Sequence, residues 1–294
     1  MQSSIARVVP WACTCPATKG LPELDCHPRA APKVATLSTT WVGHATVLLA
    51  IEGVRLLTDP MLRRRVGPLR RLVPAPAIDR LRSLDAILLS HLHQDHFDIQ
   101  SLELLAHDAP ILVPRGGERW LARAGFTAVH GMEPGDTVRV AHLQVRAVPA
   151  RHSAPRYPFL RHDLSLGFVI SGRHQVYFPG DTGLFDGMAS ISHHLDLAFV
   201  PIGGWGLRVP EEKHLDPLRA AQALALLRPR MAIPVHWGTY QLTGLSLAPS
   251  FRRLDEAPRQ FVEYTHRHAP EVLTMLLNPG ESLDVGALLQ RGTA

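Results

Sequence analysis

The sequence predicts a mixed α/β fold in which sheets are covered by helices. Three observations carry that prediction. From Thr36 onward, short runs rich in β-formers alternate with helical patterns, the signature of sheets packed under helices. The chain has 294 residues, 46% hydrophobic and 19% charged, enough for one sizeable core. No self-similarity appears at solenoid or propeller periods.

Residues 1–33 read as a loosely ordered arm and residues 34–294 as one domain. All three cysteines, Cys13, Cys15 and Cys26, fall in the arm. With His27 they match no common zinc spacing, and an odd count outside the core suits a reducing cytoplasm. Met1–Pro10 lacks the apolar stretch of a signal peptide, and no later run approaches the roughly 20 apolar residues that span a bilayer. A cytoplasmic protein without a transmembrane segment is the expectation.

Trp41–Ala50 and Val54–Thr58, joined at Glu52-Gly53, read as a hairpin. Asp59–Pro76, rich in Arg and Pro, reads as a long loop; such loops inside compact domains are often functional, so this one is a candidate lid or wall of a site. Leu84–Ser90 is an apolar run of strand length that leads straight into a histidine cluster. Asp98 then caps a helix through Ala106, Ile111–Pro114 is a strand, and Glu118–Ala124 is a helix that stops at Gly125. Val138–Pro149, Leu164–Ser171, Gln175–Pro179 and Leu195–Pro201 read as strands, the last followed by a Gly203-Gly204-Trp205-Gly206 loop. Asp216 as N-cap, with Pro217 at the first helical position, opens a helix through Leu227. Met231–Val235 is a strand that ends at His236. His193, His194, Trp120 and the Leu218–Leu227 face read as packing rather than chemistry.

The chemistry concentrates in His91-Leu92-His93-Gln94-Asp95-His96. In an extended stretch His91 and His93 point to the same side, so both can bind one ion. Asp95 and His96, where the chain turns toward a helix, can face a neighbouring ion. Zinc prefers imidazole and carboxylate ligands in about this number, and a catalytic site keeps one position open for water. Four ligands do not complete two metal sites, which predicts others at equivalent strand ends. His152, Asp181 in Pro179-Gly180-Asp181-Thr182-Gly183, and His236 each sit just past an apolar strand. No Gly-x-Ser-x-Gly elbow, P-loop or dinucleotide fingerprint in its proper context accompanies them.

The order His-x-His-x-Asp-His, then His152, the Gly-Asp-Thr-Gly turn and a strand-terminal His resembles the metallo-β-lactamase superfamily over most of the chain. The resemblance implies a four-layer αββα sandwich, with two divalent ions at one edge of the sheets. One ion would take His91, His93 and His152, the other Asp95, His96 and His236, with Asp181 bridging. Trp41-Val42-Gly43-His44-Ala45-Thr46, Thr58-Asp59-Pro60, His214-Leu215-Asp216-Pro217 and His236-Trp237-Gly238-Thr239 look like the group that contains N-acyl-phosphatidylethanolamine phospholipase D and the ascorbate-6-phosphate lactonases. The chain departs from the phospholipase-like pattern at Leu92 and Gln94, where Asn and Tyr are usual, and at Ser165-Leu166-Gly167, where a Trp-Gly pair is usual.

The implied activity is metal-dependent hydrolysis. Two ions about 3.5 to 4 Å apart lower the pKa of a bridging water to supply hydroxide near neutral pH, and they stabilise charge developing on the scissile group. Zinc is the expected metal, with manganese or iron as alternatives for the same donors. The expected substrate is a small-molecule or lipid-like ester, a phosphodiester first and a lactone next; a metal-binding sensor or scaffold without turnover is the alternative from another class. Asp95 and His214 are the catalytic candidates, and His44 and Asp59 are candidates to support the ligands. Arg63, Arg64 and Arg65, with Arg70 and Arg71 beyond them, are candidates to hold a phosphate. The net charge of +5 favours an anionic substrate. It is too modest, and too free of interleaved aromatics, to favour nucleic acid. Peripheral membrane contact through the arginine-rich segment stays compatible with the sequence.

Overall fold

The computed structural model describes residues 22–24, 36–74, 76–105, 109–152, 164–203, 213–243 and 256–291. Cys13, Cys15, Cys26 and His27, most of the expected arm, Ala106 and Gly204–Gly206 lie outside the described residues.

In chain order the strands are β1 (Glu23–Leu24), β2 (Leu37–Gly43), β3 (Thr46–Ile51), β4 (Val54–Thr58), β5 (Arg65–Val66), β6 (Leu69–Arg71), β7 (Ala86–Leu88), β8 (Ile111–Pro114) and β9 (Val129–Met132). The second half adds β10 (Thr137–Val140), β11 (Leu143–Pro149), β12 (Leu166–Ser171), β13 (Gln175–Phe178), β14 (Leu197–Pro201), β15 (Met231–Val235), β16 (Tyr240–Leu242), β17 (Leu273–Thr274) and β18 (Ser282–Asp284). The helices are α1 (Ile99–Glu103), α2 (Glu118–Arg123), α3 (Pro217–Leu227), α4 (Glu256–His268) and α5 (Val285–Arg291).

One large sheet has the order β18-β2-β3-β4-β7-β8-β9 and the other β1-β10-β11-β12-β13-β14-β15-β17. They face each other across a common apolar layer, to which the first contributes Trp41, Leu49, Leu56 and Leu88 and the second Val145, Phe168, Phe178, Phe199 and Ile233. Burying each such side chain contributes roughly 1.5–3 kcal/mol. On the outer face of the first sheet, Leu57, Ile87 and Ile111 pack against Leu102 of α1 and Leu121 of α2. On the outer face of the second, Val169, Tyr177 and Ala198 pack against Ala220 and Leu224 of α3 and Phe261 of α4. The layers are therefore helix, sheet, sheet, helix, as expected. Strands β7, β8, β14 and β15 are buried along their whole length because both of their faces are covered.

The local signals read from the sequence hold where they depend on a few neighbouring residues. Asp98 accepts a hydrogen bond from Ser101 N at the start of α1, and Asp216 accepts one from Arg219 N at the start of α3, with Pro217 in the first turn. Glu52 and Gly53 both have positive φ, 51° and 87°, as the tight turn between β3 and β4 requires.

Other expectations need correction. Trp41–Ala50 is two antiparallel strands, because the chain turns at Gly43 and His44 (φ 127° and 55°). Val138–Pro149 is likewise divided, at Ala141 (φ 52°). Each break leaves only a short mark in the sequence: Gly43-His44 in the first, and in the second a shift of the apolar alternation from Val138 and Val140 to Leu143 and Val145. Asp59–Pro76 is not one loop: β5 and β6 pair, and β16 joins them to make a third sheet over Met61, Val66, Leu69 and Tyr240. His193 and His194 are exposed rather than packed. The elements after His236, from β16 to α5, had no counterpart in the sequence reading. No described helix is long and apolar enough to cross a membrane.

Candidate metal centre

Neighbours β4-β7-β8 run parallel, as do β13-β14-β15, and β11 runs the same way as β13 because β12 is antiparallel to both. Their C-terminal ends deliver His91 to His96 after β7, His152 after β11, Asp181 after β13 and His236 after β15. All seven predicted donors among these converge and are buried, none more than 6% exposed. His93 O accepts from both His96 N and Phe97 N (2.9 and 2.7 Å), so the chain reverses just past His93. The reversal separates the donors into His91, His93 and His152 on one side and Asp95, His96 and His236, joined by His44, on the other.

The outward ring nitrogens are held by the surrounding chain. His236 Nδ1 lies 2.8 Å from Gly203 O and His152 Nδ1 2.9 Å from Lys213 O. A carbonyl only accepts, so each Nδ1 carries a hydrogen and, in the neutral ring, each Nε2 turns a lone pair inward. His96 Nδ1 donates in the same way to Asp59 Oδ2 at 2.7 Å. Ser90 Oγ donates to Asp59 Oδ2 (2.6 Å) and can then only accept from His91 Nδ1 (2.9 Å). His91 Nε2 is left buried with no hydrogen-bond partner among the described residues.

These lone pairs face one another. His96 Nε2 and His236 Nε2 are 3.1 Å apart, a contact that only a shared cation, proton or metal, makes favourable. Asp181 Oδ1 lies 3.5 and 3.3 Å from the same two nitrogens, and Asp95 Oδ2 lies 3.6 Å from each. Each carboxylate oxygen thus lies 3.3 to 3.6 Å from both nitrogens, which are themselves 3.1 Å apart. Donors around a zinc-sized ion at roughly 2.0–2.1 Å stand about 3.3–3.4 Å apart, so the two nitrogens with either oxygen fit such an ion. On the other side, His93 Nδ1 and His152 Nε2 lie 3.0 Å apart, in one group with His91. The second oxygen of Asp181, Oδ2, is 3.3 Å from His214 Nδ1, and Asp181 groups with His152 and His214 as well. Its carboxylate therefore stands between the two donor sets.

Charge in the pocket follows from burial and neighbours. Burial pushes His91 well below the usual histidine value and His44 down to about 3. Burial also opposes charge on His96 and His236, yet the carboxylates, Asp181 foremost, outweigh it and raise both rings. For Asp95 and Asp181, burial pushes upward, but the facing histidines hold both well below the usual carboxylate range.

Two supporting features combine distant parts of the chain. Asp59 receives Ser90 N (2.7 Å), Ser90 Oγ and His96 Nδ1, and is fully buried. Gly180 (φ 61°) lets the Asp181 turn close on this group, since a Cβ there would fall 2.3 Å from Ser90 Cβ. Trp41–Thr46 and His236–Thr239 interlock: Thr239 Oγ1 accepts from His44 N (2.7 Å), while His44 O accepts from His236 N and Trp41 Nε1 (both 2.9 Å). His44 Nε2 then meets Asp95 Oδ2 at 3.3 Å, and its ring lies 3.8 Å from that of His236. Ser90, Thr239 and the two carbonyls were missed by sequence reasoning. Only the places of Ser90 beside His91 and of Thr239 near His236 could have signalled them.

The arginines divide. Arg63 is turned away, with Nε and Nη2 each 2.7 Å from Asp98 and Nη1 on Gln100. Arg71 is buried and donates to Val42 O (2.7 Å) and Met61 O (3.0 Å). Arg64, Arg65 and Arg70 are exposed.

Among known families, the profile of the Beta-lactamase superfamily domain matches residues 54–237. This chain belongs to the metallo-β-lactamase superfamily. It is 30% identical to a UPF0173 metal-dependent hydrolase of Methanopyrus kandleri, over 83% of this chain and 98% of that one. It is 33% identical to N-acyl-phosphatidylethanolamine-hydrolyzing phospholipase D 1 of Caenorhabditis elegans, over 70% of this chain and 65% of that one. The match to a Mycobacterium tuberculosis protein, at 34% identity over 73% of this chain, likewise spans only 63% of the relative. The fold is similar to that of a metallo hydrolase from Ignicoccus hospitalis, with a TM-score of 0.65 and 23% identity over 84% of this chain and 97% of that one.

Proposed function

We propose that residues 34–294 form a two-metal hydrolase that cleaves an ester-type bond, with a phosphodiester as the preferred substrate and zinc as the preferred metal. The observation that carries this reading is the cluster of Asp95 and Asp181 oxygens around the His96 and His236 nitrogens, beside the His91, His93 and His152 set. In this assignment Asp95, His96 and His236 would hold one ion, His91, His93 and His152 the other, and Asp181, which stands between them, would serve both. Ions bound there supply Lewis acidity toward the scissile group and hydroxide near neutral pH. The phosphodiester preference draws support from the likeness to a phospholipase D. The reducing conditions of the cytoplasm suit its cysteine content.

The remaining work falls to this chain's own residues. Burial pushes His214 down to about 4, so it acts as a neutral ring. Its Nδ1 hydrogen faces Asp181 Oδ2, and Nε2 accepts a hydrogen bond from substrate, which fixes the substrate's position. His44 and Asp59 hold Asp95 and His96 in place from behind.

Metal content of the purified protein, measured beside hydrolysis of bis(p-nitrophenyl) phosphate and a panel of small lactones, tests the proposal. Two equivalents of metal with phosphodiester turnover is the expected result. Lactone turnover alone would replace the substrate class, metal without turnover would favour a sensor, and failure to bind metal after reconstitution would overturn the reading. In Asp181→Ala both metal content and activity should fall together.

A further inference from the structure

We propose that the β5–β6 hairpin is an anion-recognition element on the rim of the metal centre, in which Arg65 and Arg70 together grip a phosphate group other than the one being cleaved. The inference rests on the two-metal hydrolase reading above and names what that site would recognise.

The hairpin is built with its charges on one face. Val66 pairs with Leu69, and Arg65 lies directly opposite Arg70. Val66 and Leu69 are buried in the small core with Met61 and Tyr240, which leaves Arg65 and Arg70 exposed on the other face. Like charges directly opposite in an antiparallel pair are destabilising. An anion between them removes that repulsion, and the guanidinium fork matches phosphate geometry.

Among the described residues the pair is also without a counterion. Among the described residues no carboxylate lies within ion-pair distance of Arg64, Arg65 or Arg70, whereas Arg63, Arg115, Arg219 and Arg230 each have one. Two arginines of the same segment are consumed by structure, Arg63 by Asp98 and Arg71 by backbone carbonyls, which is what fixes the hairpin's position.

That position is beside the metal donors. The hairpin turn at Gly67 (φ 52°) approaches Gln94, between His93 and Asp95, so closely that a Cβ on Gly67 would sit 3.2 Å from Gln94 Oε1. On its other side β6 pairs with β16, placing Arg71 opposite Tyr240, a few residues after His236. The Tyr240 ring stands edge-on to His44 at 5.6 Å, and its hydroxyl donates to Arg63 O at 2.7 Å. An anion on Arg65 and Arg70 would therefore be held by an element that lies against Gln94, between two donors, and pairs with the strand carrying Tyr240 beside His44.

The same phosphate chemistry arises from a soluble phosphate monoester or from phospholipid headgroups at a bilayer, and two arms separate these sources. Wild-type metal content and bis(p-nitrophenyl) phosphate turnover are measured first, because their failure would strike the hydrolase reading itself. The double variant Arg65→Ala/Arg70→Ala is then compared with wild type on bis(p-nitrophenyl) phosphate and on an aryl phosphodiester that carries an additional phosphate monoester. It is also compared in co-sedimentation with vesicles of phosphatidylcholine with and without phosphatidylglycerol. The soluble source predicts KM raised about tenfold or more on the doubly charged substrate alone, with kcat and metal content kept. The bilayer source predicts loss of sedimentation with the phosphatidylglycerol vesicles alone. Arg65→Lys/Arg70→Lys, which keeps charge without the fork, should restore part of either effect. If the Ala variant matches wild type in both arms, the proposal is overturned.

Discussion

Replacing Asp59 with Asn changes one atom and should unsettle the metal centre without touching a ligand. Asp59 Oδ1 accepts from Ser90 N at 2.7 Å, and Oδ2 accepts from Ser90 Oγ at 2.6 Å and His96 Nδ1 at 2.7 Å. An amide that keeps its oxygen on Ser90 N must aim its NH2 at the other two groups. His96 can meet that donor only by moving its own hydrogen to Nε2, where the lone pair is needed for a metal. Loss of such an outer partner typically costs about 10- to 100-fold in metal affinity, or about 1.4–2.7 kcal/mol. The mismatched buried donors cost roughly 1–3 kcal/mol of stability besides. Competition with a chromophoric chelator reads the first quantity, and thermal unfolding of the metal-free protein reads the second. An Asp59→Asn protein that binds both metals with wild-type affinity would refute the assignment of His96 Nε2 as an inward donor fixed by Asp59.

Three further outcomes are expected. His214→Ala should lower turnover by tenfold or more, on the scale of a positioned polar group, while metal content stays at the wild-type level; unchanged turnover would make His214 a loop residue only. Tyr177→Phe should stabilise the fold by about 1 kcal/mol or more, because the phenol oxygen is fully buried without a hydrogen-bond partner among the described residues, and a loss of stability would show that the hydroxyl has one in solution. Because Asp181 and its neighbours raise His96 and His236, metal uptake near neutral pH must displace protons from them. A weakly buffered indicator should therefore record acid release on metal addition, and affinity should weaken as pH falls. Affinity independent of pH would contradict neutral histidine ligands.

The site was legible in the sequence to the extent that it is written in short spacings. His91, His93, Asp95 and His96 are placed by one strand end and the turn after it. His152, Asp181 and His236 follow apolar runs whose ends lie at one edge once the strands are parallel. The caps at Asp98 and Asp216 and the turn at Glu52-Gly53 depend only on residues within a few positions, so their chemistry is local. Tertiary structure decided the rest. The turn at Gly43 and His44 is held by Thr239 and His236 across the interface between the two sheets, partners that the run Trp41–Ala50 does not contain. β5 and β6 form a local hairpin, and the free edge of β6 is paired by β16 from far along the chain. Which arginines remain free was settled by Asp98 and by the carbonyls that take up Arg63 and Arg71. Residue spacing fixes what a strand or helix end presents, whereas pairing between distant segments fixes what it meets, and only the folded chain brings those partners within hydrogen-bonding distance.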